Sequence, residues 1–379
     1  MSGEDGQPEP DRVEGAPHPR DTLRLFGQAE AEAEFLDAFN RGRLHHGWMI
    51  TGPRGSGKAT LAWSIARFLL ATPDPAEDDG GMFGAALAPA QADSLAIPVD
   101  HPVTRRMAAG AEPGLFVLRR GVSDTTGRLK AQITVDEARR LKGFFTLSAA
   151  DGGRRVVIVD ATDELNTSAA NALLKLLEEP PARTTLLLVT HQPSGLLPTI
   201  RSRCRLLRLK PLNPDMMQAA LDQAGITATQ PERLAALAEG SVGAAVRLAM
   251  LDGLKLYGEW IAILGSLPRL DRARAQALAD AAAARGAEES RALLLSLLDQ
   301  ALARLSRAGA TGQPPSPEAA PGEAEVFARL APTPHHARLW AAEAQEIGAR
   351  LRHGTAVNLD PAALILDTVF RLQRAAGGG

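Results

Sequence analysis

The chain has 379 residues, of which 45% are hydrophobic and 23% charged, and this length predicts two or three globular domains. Its formal net charge of -2 excludes binding to nucleic acid by bulk positive charge. The one cysteine, Cys204, excludes an internal disulfide and a four-cysteine zinc site.

The first 212 residues alternate between strand and helix patterns. Residues 1–22 are acidic and rich in Pro and Gly, which predicts a disordered arm rather than a secretory signal. Short β-favouring runs predict strands at residues 48–51, 115–118, 156–159 and 186–190. Helical spacing of apolar residues predicts helices at 28–42, 60–70, 134–147 and 169–179. This alternation predicts an α/β domain over 23–212, a parallel sheet with helices on both faces and an irregular insertion at 73–114.

The remainder of the chain shows helical patterns without a convincing strand. Asn213 followed by Pro214 predicts a helix start, and Gly225 a helix end. We predict a small helical domain over 213–265 and a larger one over 266–379, interrupted by a flexible loop at 308–323. No apolar run reaches the roughly 18 residues of a membrane helix, so we expect a cytoplasmic protein.

A glycine-rich turn between the first predicted strand and the following helix matches a phosphate-binding loop. Its candidate binding residues are Gly52, Arg54, Gly55, Ser56, Gly57 and Lys58. Glycines let backbone N–H groups converge on phosphate oxygens, which a lysine can also pair. The next residue should offer a hydroxyl to magnesium, but it is Ala59. The sequence therefore predicts phosphate cradling without magnesium ligation.

Asp160 is a second candidate for this site because it ends the run at 156–159, where phosphate-loop NTPases hold magnesium through an acid. A strand-end turn acid is the alternative interpretation. Many ATPases carry a catalytic carboxylate at the next position, which here is Ala161.

Four stretches together resemble the clamp-loader subunits of the AAA+ class. They are residues 42–47, the phosphate loop, the run NALLKLLEEPP at 171–181 and the run IRSRC at 200–204. The resemblance covers 23–212 and extends by pattern alone to the C-terminus. It implies an AAA+ nucleotide-binding-like domain, a helical lid over 213–265 and an all-α collar for oligomerisation over 266–379. Thr190 stands where the family places a polar γ-phosphate sensor.

Within this family the alternatives are the gamma/tau motor subunits and the delta-prime subunits of bacterial DNA polymerase III. Motor subunits carry Thr, Glu and Arg where this chain has Ala59, Ala161 and Gly243, and usually a four-cysteine zinc module. The replaced groups serve metal ligation, water activation and charge neutralisation. The resemblance therefore implies a delta-prime-type subunit with little or no ATP hydrolysis. A gamma/tau-like ATPase with an unusual site is one alternative, and a stand-alone nucleotide-binding regulator is another.

Ser202-Arg203-Cys204 is intact, and Arg203 and Ser202 are the candidate catalytic residues. By resemblance, Arg203 acts as an arginine finger on ATP bound by a neighbouring motor subunit, while Ser202 and Cys204 fix the local backbone. A solvated basic edge is the alternative.

The resemblance also implies the partners. These are gamma/tau motor subunits and the delta subunit in a hetero-pentamer, with the sliding clamp and primed DNA reached through that complex and no membrane. No cofactor is required and no zinc or other metal site is expected. ATP or ADP is the ligand that a degenerate site would retain.

Overall fold

The computed structural model describes residue 9 and residues 12–72, 91–123, 125–147 and 153–377. The chain divides into two compact units. One comprises Met1–Ala220 with Ser241–Gly243, and the other Leu221–Gly240 with Ala244–Gly379. The domain boundaries at residues 212/213 and 265/266 remain predictions.

Five parallel strands form the sheet of the first unit, in the order β2-β3-β4-β1-β5. They are β1 (Gly47–Thr51), β2 (Leu115–Arg119), β3 (Arg155–Asp160), β4 (Thr184–Thr190) and β5 (Arg205–Arg208). The four predicted strands are confirmed, and β4 is buried along its whole length, as a central parallel strand should be. The sequence did not predict β5, because Leu207 is its only buried residue.

Helices cover both faces of the sheet, which confirms the predicted α/β architecture. They are α1 (Ala29–Asn40), α2 (Lys58–Ala71), α3 (Pro102–Ala108), α4 (Val135–Leu147), α5 (Thr167–Glu178) and the single turn α6 (Pro198–Arg201). One apolar cluster joins α1, α2 and α3 to the sheet, and a second joins α4 and α5 to the opposite face. Successive strand residues point to opposite faces, so a single apolar strand supplies both clusters.

The described part of the N-terminal arm is packed, contrary to the predicted disorder at 12–22. His18 is only 3% exposed and lies edge-on to Trp63 of α2, with ring centroids 5.6 Å apart. Arg67 of α2 donates a 2.6 Å hydrogen bond to the Arg20 carbonyl. Periodicity detects helices and strands but not irregular chain that packs on a helix. Residues 1–8, 10 and 11 lie outside the described residues.

The predicted irregular insertion at 73–114 also differs from the structure. Residues 73–90 lie outside the described part, but 102–108 form α3. His101 caps this helix by accepting a 3.2 Å hydrogen bond from the Val103 amide, and Val103 and Met107 are buried. The helix is only seven residues long, which is too short for a clear periodic signal.

Nine further helices follow the sheet within the described residues. They are α7 (Pro214–Gln223), α8 (Pro231–Ala238), α9 (Val242–Met250), α10 (Gly253–Ser266), α11 (Arg272–Ala283), α12 (Glu288–Thr311), α13 (Glu323–Leu330), α14 (Pro334–Ala356) and α15 (Pro361–Gly377). In the second unit α12 packs against α10 and α14, and α11 packs against α15. Among the described residues, none of the helices combines the length and the apolar character needed to span a bilayer.

A loop does interrupt the helices within the predicted range 308–323, but it is shorter than predicted and is held by hydrogen bonds. α12 continues to Thr311, and the segment before α13 is fixed by Glu323, which is fully buried. The Glu323 carboxylate accepts hydrogen bonds from Arg304 Nε at 2.7 Å, the Tyr257 hydroxyl at 2.5 Å and the Ala319 amide at 2.6 Å. Pro and Gly content indicated flexibility, but a buried charge-assisted network orders the segment instead.

Candidate nucleotide site and arginine turn

Three predicted site elements lie at the carboxyl edge of the sheet. In the strand register Thr51 lies opposite Thr190, and Val189 lies opposite Asp160. The phosphate loop leaves β1 directly after Thr51. Ligands of parallel α/β sheets bind beyond the carboxyl ends of the strands. The fold therefore places the loop, Asp160 and Thr190 where the sequence predicts a nucleotide site.

The loop lysine is bound by the loop itself. Lys58 Nζ donates hydrogen bonds to the carbonyl oxygens of Gly52 at 2.9 Å and Pro53 at 2.6 Å. Burial lowers the pKa of the Lys58 ammonium to about 8, against the opposing charges of Asp160 and Asp163. Two backbone dipoles thus stabilise the cation in the place of phosphate oxygens.

The glycines of the loop are packed against neighbouring chain within the first unit. Gly55 has a φ of +72°, and its carbonyl accepts a 2.9 Å hydrogen bond from the Val242 amide. A Cβ at Gly55 would collide with the Ser241 hydroxyl, and one at Gly57 would lie 2.6 Å from Leu25 Cδ1. These glycines therefore permit close contact with the protein's own chain.

The remaining candidate residues are Ser56 and Arg54 of the loop and Thr190 at the end of β4. Ser56 is buried, and its hydroxyl donates a 2.8 Å hydrogen bond to the Pro53 carbonyl, whereas Arg54 is exposed. Thr190 is fully buried, and its hydroxyl has no hydrogen-bond partner within the part of the chain that the structure describes. A γ-phosphate sensor needs a hydroxyl that is free to bind phosphate. The position of Thr190 is compatible with this role but does not identify a ligand.

The site does not fit magnesium-assisted hydrolysis of a nucleotide. Ala59 offers no oxygen to a metal, and Ala161, next to Asp160, offers no base to water. The nearest later carboxylate, Asp163, accepts a 3.0 Å hydrogen bond from the His191 amide. Burial alone would raise the pKa of Asp163, but its hydrogen bonds with His191 outweigh burial and hold that pKa well below the usual range. Asp163 is thus a weak base, and its carboxylate is already hydrogen-bonded to His191, so it is poorly suited to activate a water molecule.

The second candidate centre is the turn at residues 199–204, here called the arginine turn. Arg203 Nη2 lies 3.0 Å from Glu178 Oε1, at the end of α5, and Nη1 donates a 3.0 Å hydrogen bond to the Thr199 carbonyl. The Ser202 hydroxyl donates to the same carbonyl at 3.1 Å. The Arg203 side chain remains 37% exposed. Ser202 therefore acts on the shape of the turn, while Glu178 and the Thr199 carbonyl hold the partly exposed Arg203 side chain.

The arginine turn packs tightly on the first residue of β1. A Cβ at Gly47 would lie 3.2 Å from the Arg203 carbonyl oxygen, 3.3 Å from Cys204 Sγ and 2.9 Å from Leu177 Cδ2. The neighbouring His46 forms a 3.0 Å hydrogen bond with the Leu177 carbonyl. Sequence reasoning used 42–47 and 171–181 only as family signatures. The structure shows that residues of both stretches, among them Gly47 and Leu177, pack against the arginine turn.

The arginine turn and the phosphate loop lie at opposite edges of the sheet. Trp48 pairs with Arg205, and Thr51 pairs with Arg208, so the chain before β5 lies at the amino edge. From Arg205 to Arg208 the strand advances by three residues, roughly 10 Å, which exceeds the reach of an arginine side chain. Arg203 therefore lies out of reach of the phosphate loop of its own chain, and its side chain is 37% exposed.

Comparisons with known proteins identify relatives of this chain. A family model described as DNA polymerase III, delta subunit, matches residues 27–213. The DNA polymerase III subunit delta' of Escherichia coli is 31% identical over 250 residues, which cover 62% of this chain and 67% of that protein. The subunit delta' of Pseudomonas aeruginosa is 39% identical over 164 residues, or 43% of each chain.

The matches extend to the other subunit type at lower identity. The DNA polymerase III subunit gamma/tau of Mycobacterium bovis is 28% identical over 203 residues, which cover 54% of this chain but only 31% of that protein. The alignments with the two delta' relatives span 43% and 67% of their lengths.

Proposed function

We propose that this chain, which belongs to the delta-prime family of DNA polymerase III subunits, acts as the non-hydrolysing delta-prime subunit of a clamp loader. In this role it helps to place the sliding clamp on primed DNA. The observation that carries the proposal is the position of Arg203, half-exposed at the edge of the sheet opposite its own phosphate loop.

Arg203 is the catalytic residue of the proposal, and it acts in trans. A guanidinium beside the γ-phosphate of a neighbouring subunit stabilises the charge that develops on the transferred phosphoryl group. Arginine fingers of this kind contribute rate factors of roughly 10³–10⁵. Ser202 positions the backbone of the turn through its bond to the Thr199 carbonyl.

The chain's own phosphate loop requires no nucleotide in this proposal. Lys58 is already bound by the loop carbonyls, and Ala59 and Ala161 lack the groups that hydrolysis needs. ATP or ADP remains the ligand class that the loop would accept if it opened, and no zinc or other metal is invoked. The chain is then an accessory subunit of a polymerase rather than an ATPase.

The partners follow from the same proposal. They are the gamma/tau motor subunits and the delta subunit in a hetero-pentamer, which contacts the clamp and primed DNA as a whole. The helices of the second unit would supply a collar for oligomerisation, and the protein would work in the cytoplasm without a membrane partner.

Reconstitution with the cognate gamma/tau and delta subunits tests the proposal. We expect clamp loading on primed DNA to depend on this chain, and the isolated chain to release no phosphate from ATP above background. Loading that proceeds equally well without the chain would overturn the proposal. Steady ATP turnover by the isolated chain would instead support the gamma/tau-like alternative.

A further inference from the structure

A carboxylate from the chain's own α5 neutralises the proposed trans-acting arginine. Glu178 Oε1 lies 3.0 Å from Arg203 Nη2, and the Thr199 carbonyl occupies Nη1. We propose that Glu178 holds Arg203 in a parked position in the free subunit, and that the γ-phosphate of a partner's ATP displaces Glu178. Glu178 is then a positioning residue, and the inference rests on the proposed function of Arg203.

The position of Glu178 is fixed by the sequence of α5. Leu173 and Leu177 are buried against the sheet, so the last turn of the helix cannot rotate. Pro180 and Pro181 follow and prevent the helix from continuing. The last helical residue, Glu178, is therefore held beside the arginine turn.

The contact competes with phosphate for the same donors. Bidentate recognition of a phosphate uses two parallel N–H groups of one guanidinium. In the parked position a carboxylate and a carbonyl each engage one of the two terminal nitrogens of Arg203. The carboxylate also cancels much of the positive potential that an incoming γ-phosphate would meet. Parking thus lowers the affinity of the free arginine for anions.

The ion pair between Glu178 and Arg203 is weak enough for another anion to replace Glu178. The Arg203 side chain is 37% exposed and the Glu178 side chain 44%, so water screens their attraction. Exposed ion pairs of this kind shift equilibria by no more than about five-fold. Glu178 engages only one terminal nitrogen of Arg203, whereas a phosphate can accept from both and carries more negative charge than a carboxylate, so ATP on a docked partner displaces Glu178.

The next residue along the chain provides a matched control. Glu179 carries the same charge and is exposed, and its carboxylate has no hydrogen bond or ion pair to the residues that the structure describes. Glu178→Gln and Glu179→Gln therefore change the net charge of the subunit equally, but only the first removes the carboxylate that holds Arg203.

The test is the affinity of this chain, labelled with a fluorophore, for the cognate gamma/tau subunit loaded with a slowly hydrolysed ATP analogue or with ADP. We expect Glu178→Gln to tighten binding two- to five-fold with the analogue and to leave binding with ADP unchanged. Glu179→Gln should change neither affinity. In an Arg203→Ala background the gain from Glu178→Gln should disappear. Equal melting temperatures for the two Gln variants exclude a folding effect.

Each other outcome has a distinct meaning. If Arg203→Ala weakens binding with the analogue but Glu178→Gln has no effect, the parked position is wrong and the proposed function stands. The parked position is equally wrong if Glu179→Gln tightens binding as much, if the gain persists without Arg203, or if Glu178→Gln weakens binding. If Arg203→Ala leaves binding with the analogue unchanged, Arg203 does not contact the γ-phosphate of the bound nucleotide and this inference fails, whereas the proposed function fails only if Arg203→Ala also leaves hydrolysis by the assembled complex unchanged.

Discussion

The ammonium of Lys58 donates a 2.6 Å hydrogen bond to the carbonyl oxygen of Pro53, within the same phosphate loop. The cation that such a loop offers to nucleotide phosphates is thereby used by its own backbone. In the proposed function, Arg203 serves the nucleotide site of a neighbouring subunit, while the loop of this chain keeps its lysine on its own carbonyl oxygens.

Restoring the missing hydroxyl should not restore hydrolysis. Ala59→Thr supplies a group that could ligate magnesium, but Ala161 still provides no base to activate water. We expect phosphate release by the isolated variant to stay at background. The Lys58→Met, Ala59→Thr double variant is the control for contaminating ATPase. Turnover that appears with Ala59→Thr and is lost in the double variant would contradict this account.

Gly47 should be essential to the arginine turn, because a methyl group there would lie 2.9 Å from Leu177 Cδ2 and 3.2 Å from the Arg203 carbonyl oxygen. We expect Gly47→Ala to lower the free energy of unfolding by about 1–3 kcal/mol. Gly143→Ala on α4 is the control, since a Cβ at Gly143 meets nothing within 4 Å. Urea denaturation measures both variants. An equally stable Gly47→Ala variant would show that the turn has room to move.

Cys204 should react slowly in the native state, because burial raises the pKa of its thiol to about 12. At pH 8 this leaves about a thousand-fold fewer thiolates than in an unfolded chain, and the thiolate is the reactive form. The raised pKa also means that native stability falls as the pH rises from about 9 towards 12, since the unfolded thiol ionises first. Labelling with a chromogenic disulfide, with Cys204→Ser as the blank, measures the rate. Equal rates for native and urea-unfolded protein would contradict the burial.

In the second unit, replacing Arg304 should lower the free energy of unfolding far more than replacing an exposed arginine. Its partner Glu323 is fully buried, so Arg304→Met would strand a buried charge, which costs about 3–5 kcal/mol of unfolding free energy. The control is Arg350→Met at the exposed pair with Asp367, where the expected loss is about 1 kcal/mol or less. Urea unfolding of the two variants measures the difference. Similar losses would show that the Glu323 network does not stabilise the fold.

The sequence predicts the elements that are buried by apolar runs or by regular spacing. β1, β3 and β4 are continuous apolar strands, and the Asn213 side chain caps α7 as expected, accepting a 2.9 Å hydrogen bond from the Met216 amide. An exposed edge strand and a segment held by polar contacts could not be predicted. β5 has one buried residue, and the segment before α13 is held by Glu323, to which no local pattern points.

The candidate site shows the same division. The motifs identify Lys58 and Arg203 because glycines and flanking residues recur in a fixed order. Their actual contacts are not written in the motifs: Lys58 binds carbonyl oxygens of its own loop, and Arg203 binds a glutamate from another element. The separation of the two at opposite edges follows from the strand order, which the sequence does not specify. The resemblance implies the proposed trans role, and the strand order supplies the physical argument for it.

The most direct test compares two single substitutions in the assembled complex. The measurement is DNA- and clamp-stimulated ATP hydrolysis by the cognate gamma/tau and delta subunits with this chain, as wild type, Arg203→Ala or Lys58→Met. We predict that Arg203→Ala slows hydrolysis tenfold or more, about 1.4 kcal/mol of barrier, and that Lys58→Met leaves the rate within two-fold. The opposite pattern, with Lys58→Met slow and Arg203→Ala unchanged, would mean that this chain hydrolyses ATP in its own loop and would contradict the account.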